Sequence, residues 1–432
     1  MATTKLSRTI GTPTSGTKFT VSAWVKGSMA EGRILTSING NSSQTWVELQ
    51  NSGAFRIANY VGSYNMQLIT TRLFRDPSAW YHFVIAFDTT QGTDTNRVKL
   101  YVNGVQETSF STTTYPSQNL VLKYGVSGQT FNVGAKDTDT YWNGLMSHVH
   151  FIDGTQYAAS EFGETDSTTG EWKIKTSPSV TYGNNGFFIL KDGNSVTDQS
   201  GNSNNFTVAA GTLTKTEDCP DNVFAVYNQL LNIPSSELSN GATTIFNASS
   251  ASTRPILSSL GASSGKFYAE FKTVTASSAS RVGICDMDKY VLTEFTGVNA
   301  LSYGYLAGGT VANNNSTTIS GLSSYTSGDI IGVYIDLDNN FLYFAKNGVL
   351  QNSGVPTSGA TGTGGQAITA NNTYGFHVTV GSSSKKTTAN FGNGYFGTTA
   401  VSSAGTNASG IGIFEYDVPT GYTALSTKGL NL

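Results

Sequence analysis

Apolar and polar residues alternate along most of the chain, and the pattern is clearest from Gly328 to Leu350. Ile331, Val333, Ile335 and Leu337 take every second position and so share one face, while Tyr334 and Asp336 point the other way. A half-buried strand is predicted. Asp338, Asn339 and Asn340 interrupt it with residues that tolerate positive φ, and the aromatic-rich run Phe341, Leu342, Tyr343, Phe344 follows at once. The two runs form a hairpin, and Asn347-Gly348 begins a second turn before Val349. A looser echo runs from Trp80 to Asp88 and from Arg97 to Val105, again closing on Asn-Gly-Val. Each hairpin reads as the spine of its own β-sandwich.

Short strands are predicted around Trp24, from Trp46 and from Phe55, roughly every ten residues, separated by turn clusters such as Asn39-Gly40-Asn41 and Asn51-Ser52-Gly53. No stretch carries a sustained helical period with caps. The fold class expected is all-β, with two antiparallel, jelly-roll-like β-sandwich domains in tandem. The chain has 432 residues, and two domains of about 180 to 220 residues suit the usual size of a single core. The mixed polarity of Leu213 to Ser239, with Pro220 and Pro234, places the junction there. The expected organisation is residues 1–212, a connector over 213–239, and residues 240–432, in which alternation restarts at Phe267, Ala269 and Phe271.

Composition narrows the function classes. Charged residues are only 12% and glycines number 48, so the surface is polar but weakly charged, while 11% aromatics supply bulk for two cores. A net charge of −3 gives no electrostatic reason to expect nucleic acid or an anionic membrane as partner. No apolar run is long enough to cross a bilayer, and the first residues lack the apolar centre of a signal peptide, so a soluble protein outside the secretory route is expected. Cys219 and Cys285 lie far apart without CxxC spacing and read as free thiols of a reducing compartment.

The segments WYHFVIAFD from Trp80, RVKLYVNGVQE from Arg97 and FNVGAKDTDTYWNGLMSHVHFIDG from Phe131 resemble, in that order, the laminin-G/concanavalin A-like jelly roll over about residues 25–160. The text after it, including HFIDGTQYAASEFGE, GEWKIK, YGNNGFFILKDG, TDQSGNSNNFT and CPDNVFAVYNQL, is similar to virion proteins of tailed phages, marine ones especially. SGKFYAEF, RVGI, YGY, GDIIGVYIDLDNNFLYFAKNGV, ANFG and PTGYTAL resemble the SPRY domain in its phage form over about 240–428. That likeness implies a sandwich that binds proteins or peptides through its loops and brings no catalytic residues.

Gly261-Ala262-Ser263-Ser264-Gly265 fits the nucleophile-elbow pattern and Gly392-Asn393-Gly394-Tyr395-Phe396-Gly397 fits a dinucleotide fingerprint, but both chemistries need an ensuing helix, and neither stretch predicts one. His148 and His150, two apart in a strand, would share a face and could share a metal, although no third ligand is near in sequence. His82 and His377 read as structural strand residues. Three Asp-x-Asp pairs, Asp137/Asp139, Asp286/Asp288 and Asp336/Asp338, suit turns; Asp137 and Asp139 with Asn143 could also hold Ca²⁺, a hard ion that takes oxygen ligands. No cofactor is otherwise required. Rings beside amides and hydroxyls point to sugar binding, in which apolar sugar faces stack on aromatics. Tyr60, Tyr64, Tyr141 and Trp142 are the candidates in the first half and Tyr303 and Tyr305 in the second, with Tyr290 similar and core packing the competing role.

These readings converge on a non-enzymatic virion surface protein of the tail-fibre, receptor-binding type that mediates host adhesion, made in the bacterial cytoplasm and exposed on the particle. The partners expected are host-surface glycan or protein, other virion structural proteins and further copies of the chain. No nucleic acid and no membrane insertion are expected. A capsid-decorating or head-fibre structural protein acting by self-association and a capsule-polysaccharide depolymerase are the alternatives. The depolymerase would need paired carboxylates across a sugar cleft, a spacing that sequence cannot set.

Overall fold

The structure, a computed structural model, describes residues 3–27, 30–191, 193, 195–231, 238–248 and 253–432. The chain is all-β: helical structure among the described residues is confined to short 3₁₀ turns such as Asp94–Asn96 and Lys123–Gly125. It divides into two compact units, Met1–Lys215 and Thr216–Leu432.

In the first unit an eight-stranded antiparallel sheet runs, edge to edge, through Phe110–Thr114, Tyr64–Leu73, Ala54–Val61, Ser43–Leu49, Gly32–Ile38, Thr130–Val133, Lys5–Thr9 and Thr207–Ala210. A six-stranded sheet runs through Phe187–Ile189, Gly144–Asp153, Lys18–Gly27, Tyr81–Asp88, Val98–Val102 and Val105–Glu107. Val21 stands opposite Phe151 on one side and Ile85 on the other. The inward phase of these strands supplies the core, with Phe19, Phe55, Phe83, Phe131 and Phe151 all fully buried. Each such ring contributes about 1.5–3 kcal/mol through the apolar area it removes from water. The outer face of the six-stranded sheet is covered as well: Val84 and Ile152 pack under Phe162 and Trp172 of the segment that follows the jelly-roll strands.

In the second unit the predicted hairpin forms as Ile330–Asp336 paired with Phe341–Lys346, closed by a turn in which Asn340 takes φ +62°. It lies in a nine-stranded sheet beside Lys266–Thr275, facing a six-stranded sheet centred on Tyr374–Val380 and Arg281–Asp286. Ile331, Val333, Ile335 and Leu337 enter the core as expected. The other phase is not solvated, however: Tyr334 joins Tyr268, Tyr343, Phe414 and Tyr422 in a second buried cluster, because residues 411–424 lie across that face. The strand is buried on both sides rather than half-buried.

The stretch expected as a connector also folds back. Phe224, Ala225, Val226 and Tyr227 are buried in the second unit, where Phe224 bridges Ser426 and Tyr227 bridges Ser258. Residues 232–237, with Pro234, lie outside the described residues.

Candidate functional site

The strand Ser43–Leu49 sends Val47 and Leu49 into the core and Gln44, Trp46 and Glu48 to the outer face of the eight-stranded sheet. Hairpin register then sets Glu48 opposite Arg56 and Trp46 opposite Ala58, while the strand on the other side sets Arg33 opposite Glu48. Arg33 Nε donates to Glu48 Oε2 at 3.0 Å and its Nη1 to Gln44 Oε1 at 2.6 Å. Arg56 donates to the second oxygen of Glu48, and its Nη2 lies 3.4 Å from Glu31. One carboxylate is thus held between two guanidiniums, a charge-assisted arrangement with fixed geometry. Burial pushes the Glu48 carboxyl above its usual range, and the two arginines offset part of that shift.

Both guanidiniums also lie over the Trp46 ring, at 4.2 Å for Arg33 and 5.6 Å for Arg56. The Tyr64 ring sits 6.1 Å from Trp46 and 5.2 Å, edge-on, from Tyr60. Trp46 is only 2% exposed, whereas Tyr64 is 44% exposed. Tyr64 is the accessible end of a fixed aromatic and guanidinium stack. Charges balance across Arg33, Arg56, Glu48 and Glu31, so the face suits a neutral ligand that can stack and hydrogen-bond.

The structure brings Tyr60 and Tyr64 together on either side of Gly62, which takes φ +70°. Tyr141 is half-buried in a loop tied to the same sheet by the Arg33 N–H bond to Thr140 O. Trp142, a ligand candidate for which core packing is the competing role, lies in the core, where its Nε1 donates to Leu145 O at 3.3 Å. Tyr303 and Tyr305 are likewise buried, with hydroxyls spent on Thr369 and on Ser323 O. Tyr290 gives its hydroxyl to Pro255 O. Arg33, Trp46, Glu48 and Arg56 escaped the sequence reading; the signal that could have found them is the opposite charge of Glu48 and Arg56 across the Asn51-Ser52-Gly53 turn.

Asp137 pairs with Lys5 at 3.0 Å, and Asp139 bonds Lys136 and Thr140. Their charges are already met by protein groups, and among the described residues no three His, Cys, Asp or Glu side chains gather to hold a metal ion. Asp286, Asp336 and Asp338 accept backbone N–H groups within or beside turns. His148 and His150 do not alternate simply, because a bulge between Ser147 and His150 puts His148 at φ +48°. His150 is buried, stacked on Phe188 at 3.9 Å and bonded to the Tyr182 hydroxyl. A strand, not a helix, follows each glycine motif, Lys266–Thr275 after the first and Thr399–Ala400 after the second.

A tandem of two β-sandwiches is the class that this fold defines. The first carries a concanavalin A-like domain: the profile of the Concanavalin A-like lectin/glucanases superfamily matches residues 4–160. The second carries a SPRY domain, matched over residues 266–393. Among solved structures, the SPRY domain of human HERC1 is similar at 20% identity and TM-score 0.28, covering 34% of this chain and 87% of that one. The TRIM65 PSpry domain is similar at 11% identity and TM-score 0.28, covering 38% and 91%. A heptameric SAP-like pentraxin from Limulus polyphemus is similar at 17% identity and TM-score 0.27, covering 36% and 72%. No curated protein sequence matches the chain.

Proposed function

We propose that this chain is a non-enzymatic adhesive protein on the virion of a tailed phage, and that its first unit holds a neutral host-surface glycan against the outer face of the eight-stranded sheet. The observation that carries the binding role is the stack of Tyr64, Trp46, Arg33 and Arg56 around the Glu48 carboxylate. The sugar's apolar face lies on Tyr64, and its hydroxyls take up guanidinium N–H groups and the amides of the same sheet. The virion role is supported by the likeness of segments between residues 150 and 230 to tailed-phage proteins.

Binding to an array of bacterial surface glycans tests the chemistry. The expected result is retention of at least one neutral glycan, with affinity reduced about tenfold in Tyr64→Ala, equivalent to roughly 1.4 kcal/mol, and with unchanged melting. No bound glycan, or an unaltered affinity in Tyr64→Ala, defeats the reading. Gold-labelled antibody against the chain on purified particles tests the location: bare particles would remove the virion role.

Capsid decoration by self-association draws on one observation. Val105 and Val349, the residues after the two Asn-Gly turns, are 70% and 66% exposed on edge strands of their sheets, where unpaired backbone can join a second copy. Sedimentation showing a stable oligomer that Val105→Lys dissolves would favour it.

A further inference from the structure

Residues 157–182 cross the outer face of the six-stranded sheet of the first unit as a strap that belongs to neither large sheet. Its two strands, Gly163–Thr165 and Trp172–Ile174, pair only with each other, and a lone two-stranded hairpin is marginal in water. The ends are fixed: the Tyr157 N–H donates to Thr20 Oγ1 at 2.8 Å, and Tyr182 O accepts the Asp153 N–H at 2.8 Å. Between those ends little is buried beyond Ala159, Phe162 and Gly163. Segments with so few buried contacts open at low cost.

Among the described residues, one hydrogen bond joins residues 158–181 to either large sheet: Trp172 Nε1–H donates to His82 Nδ1 at 2.9 Å. The indole lies tight against backbone, since a Cβ on Gly104 or Gly163 would stand 2.5 Å from it. His82 is fully buried, stacked on Trp24 at 4.6 Å, with Nε2 2.9 Å from Ser22 Oγ. An indole nitrogen can only donate, so the bond requires the Nδ1 lone pair. A proton on Nδ1 sets donor against donor and places a charge under the apolar cover that Val84 and Ile152 share.

Nothing set around the ring offsets that charge. The ionisable groups of the neighbouring strands are His148 and His150 of Gly144–Asp153, Lys26 on the face of Ser22 and Trp24, and Tyr101 of Val98–Val102. Burial and the His148 imidazole both oppose protonation of His82. On the strap, Glu164, Glu171 and Lys173 are exposed, Asp166 pairs with Lys173, Glu161 is half-buried, and Lys175 bonds Ser160 O. Tyr182, at the anchored end, bonds His150.

We infer that residues 158–181 form an acid-released strap, in which protonation of His82 breaks the Trp172 bond and frees the segment from the sheet, uncovering Trp24, Val84 and Ile152. In the closed form burial lowers the His82 pKa to about 3, whereas an exposed imidazole titrates near 6.5. The open form therefore takes the proton first, and opening grows as pH falls below 6.5, roughly 75-fold between pH 7 and 4.5. Both large sheets keep their pairings when the strap lifts, so release precedes unfolding of the unit. The inference does not depend on the glycan face.

Hydrogen exchange of the full chain, followed by mass spectrometry and corrected for the intrinsic rate at each pH, tests it. Between pH 7 and 4.5 the amides of residues 163–174 should exchange roughly 75-fold faster, while those of the core strand Ser43–Leu49 accelerate far less. His82→Gln, which cannot titrate, should hold the strap's response below about fivefold. Trp172→Phe removes the donor and should raise strap exchange about tenfold already at pH 7, with the core strand unchanged. Equal acceleration of strap and core strand, strap exchange indifferent to pH, a full response in His82→Gln, or parent-like strap exchange at pH 7 in Trp172→Phe would each overturn the assignment.

Discussion

At Trp142 the indole occupies space that only glycine leaves open. A Cβ on Gly27 would stand 2.5 Å from the Trp142 ring, and one on Gly32 would stand 3.0 Å from the Trp142 Cα. The ring is therefore a wedge between two neighbouring parts of the sandwich, and its truncation leaves a cavity that flanking strands cannot close. Trp142→Ala should cost about 3–5 kcal/mol of stability, the range for large aromatic truncations in cores. Urea unfolding of the variant checks this; a midpoint equal to the parent's would contradict the wedge. Any loss of glycan binding in that variant should track its unfolded fraction, whereas Tyr64→Ala should lower affinity in a fully folded protein. The two residues share a sequence signature, an aromatic beside a polar loop, and differ only in what the fold sets against them. A neighbouring aromatic alone does not separate ligand rings from core rings.

At the scale of elements, the hairpins show what was legible. Asn103-Gly104 takes φ +47° and +83°, and Asn347-Gly348 takes +49° and +79°, the two consecutive positive values of a type I′ turn. Such turns are local, so two adjacent residues suffice to predict them. Strand phase was legible for the same reason: Ile331, Val333 and Ile335 declare their core face by spacing alone. What covers the other face is not local. Tyr334 is buried by a segment some eighty residues later, and nothing in its strand announces that segment. The candidate site divides along the same line. Tyr60 and Tyr64 were readable because they flank one turn, while Trp46, Arg33, Glu48 and Arg56 meet only through register across three strands. Turn chemistry can be tested directly. Tyr416 packs over Gly348 so closely that a Cβ would come within 2.5 Å of its ring. Gly348→Ala should therefore cost about 1–3 kcal/mol, combining positive-φ strain with displacement of that ring. Gly328→Ala, also at positive φ but with open space around it, should cost less. Equal melting temperatures for the two variants would show that the Tyr416 contact contributes nothing.

Over the whole molecule, titratable groups are divided unequally between the units, and this predicts different responses to acid. In the first unit His82 lies between Ser22 and Trp172. The indole Nε1–H donates to Nδ1, which leaves Nε2 to carry the proton toward Ser22. Burial holds His82 neutral, its pKa lowered to about 3, and pushes His150 well below its usual value too. The unfolded chain takes up these protons near pH 6.5, the folded unit only far lower, so stability is complete above pH 6.5 and falls as pH falls. Each histidine contributes a slope of up to about 1.4 kcal/mol per pH unit in that window. Glu48, raised by burial, opposes with the reverse sign. In the second unit His377, also lowered to about 3, acts in the acid-labile direction. Glu270 counters it: burial raises this carboxyl to about 7 against the pull of backbone N–H groups from Glu415 and Tyr416, so the folded unit binds its proton first. Two histidines against one carboxyl in the first unit, and one against one in the second, make the first unit the more acid-labile between pH 6.5 and 4.5. All five tryptophans, Trp24, Trp46, Trp80, Trp142 and Trp172, lie in the first unit, so indole fluorescence reports that unit alone in the intact chain. Its thermal midpoint should drop steeply from pH 7 to 4.5, while a second calorimetric transition that leaves fluorescence unchanged moves less. His82→Gln, which keeps a polar group beside Ser22 and Trp172 but cannot titrate, should flatten the fluorescence-detected slope by about one proton. Parallel shifts of both transitions, or an unaltered slope in that variant, would show that the buried histidines do not govern the acid response.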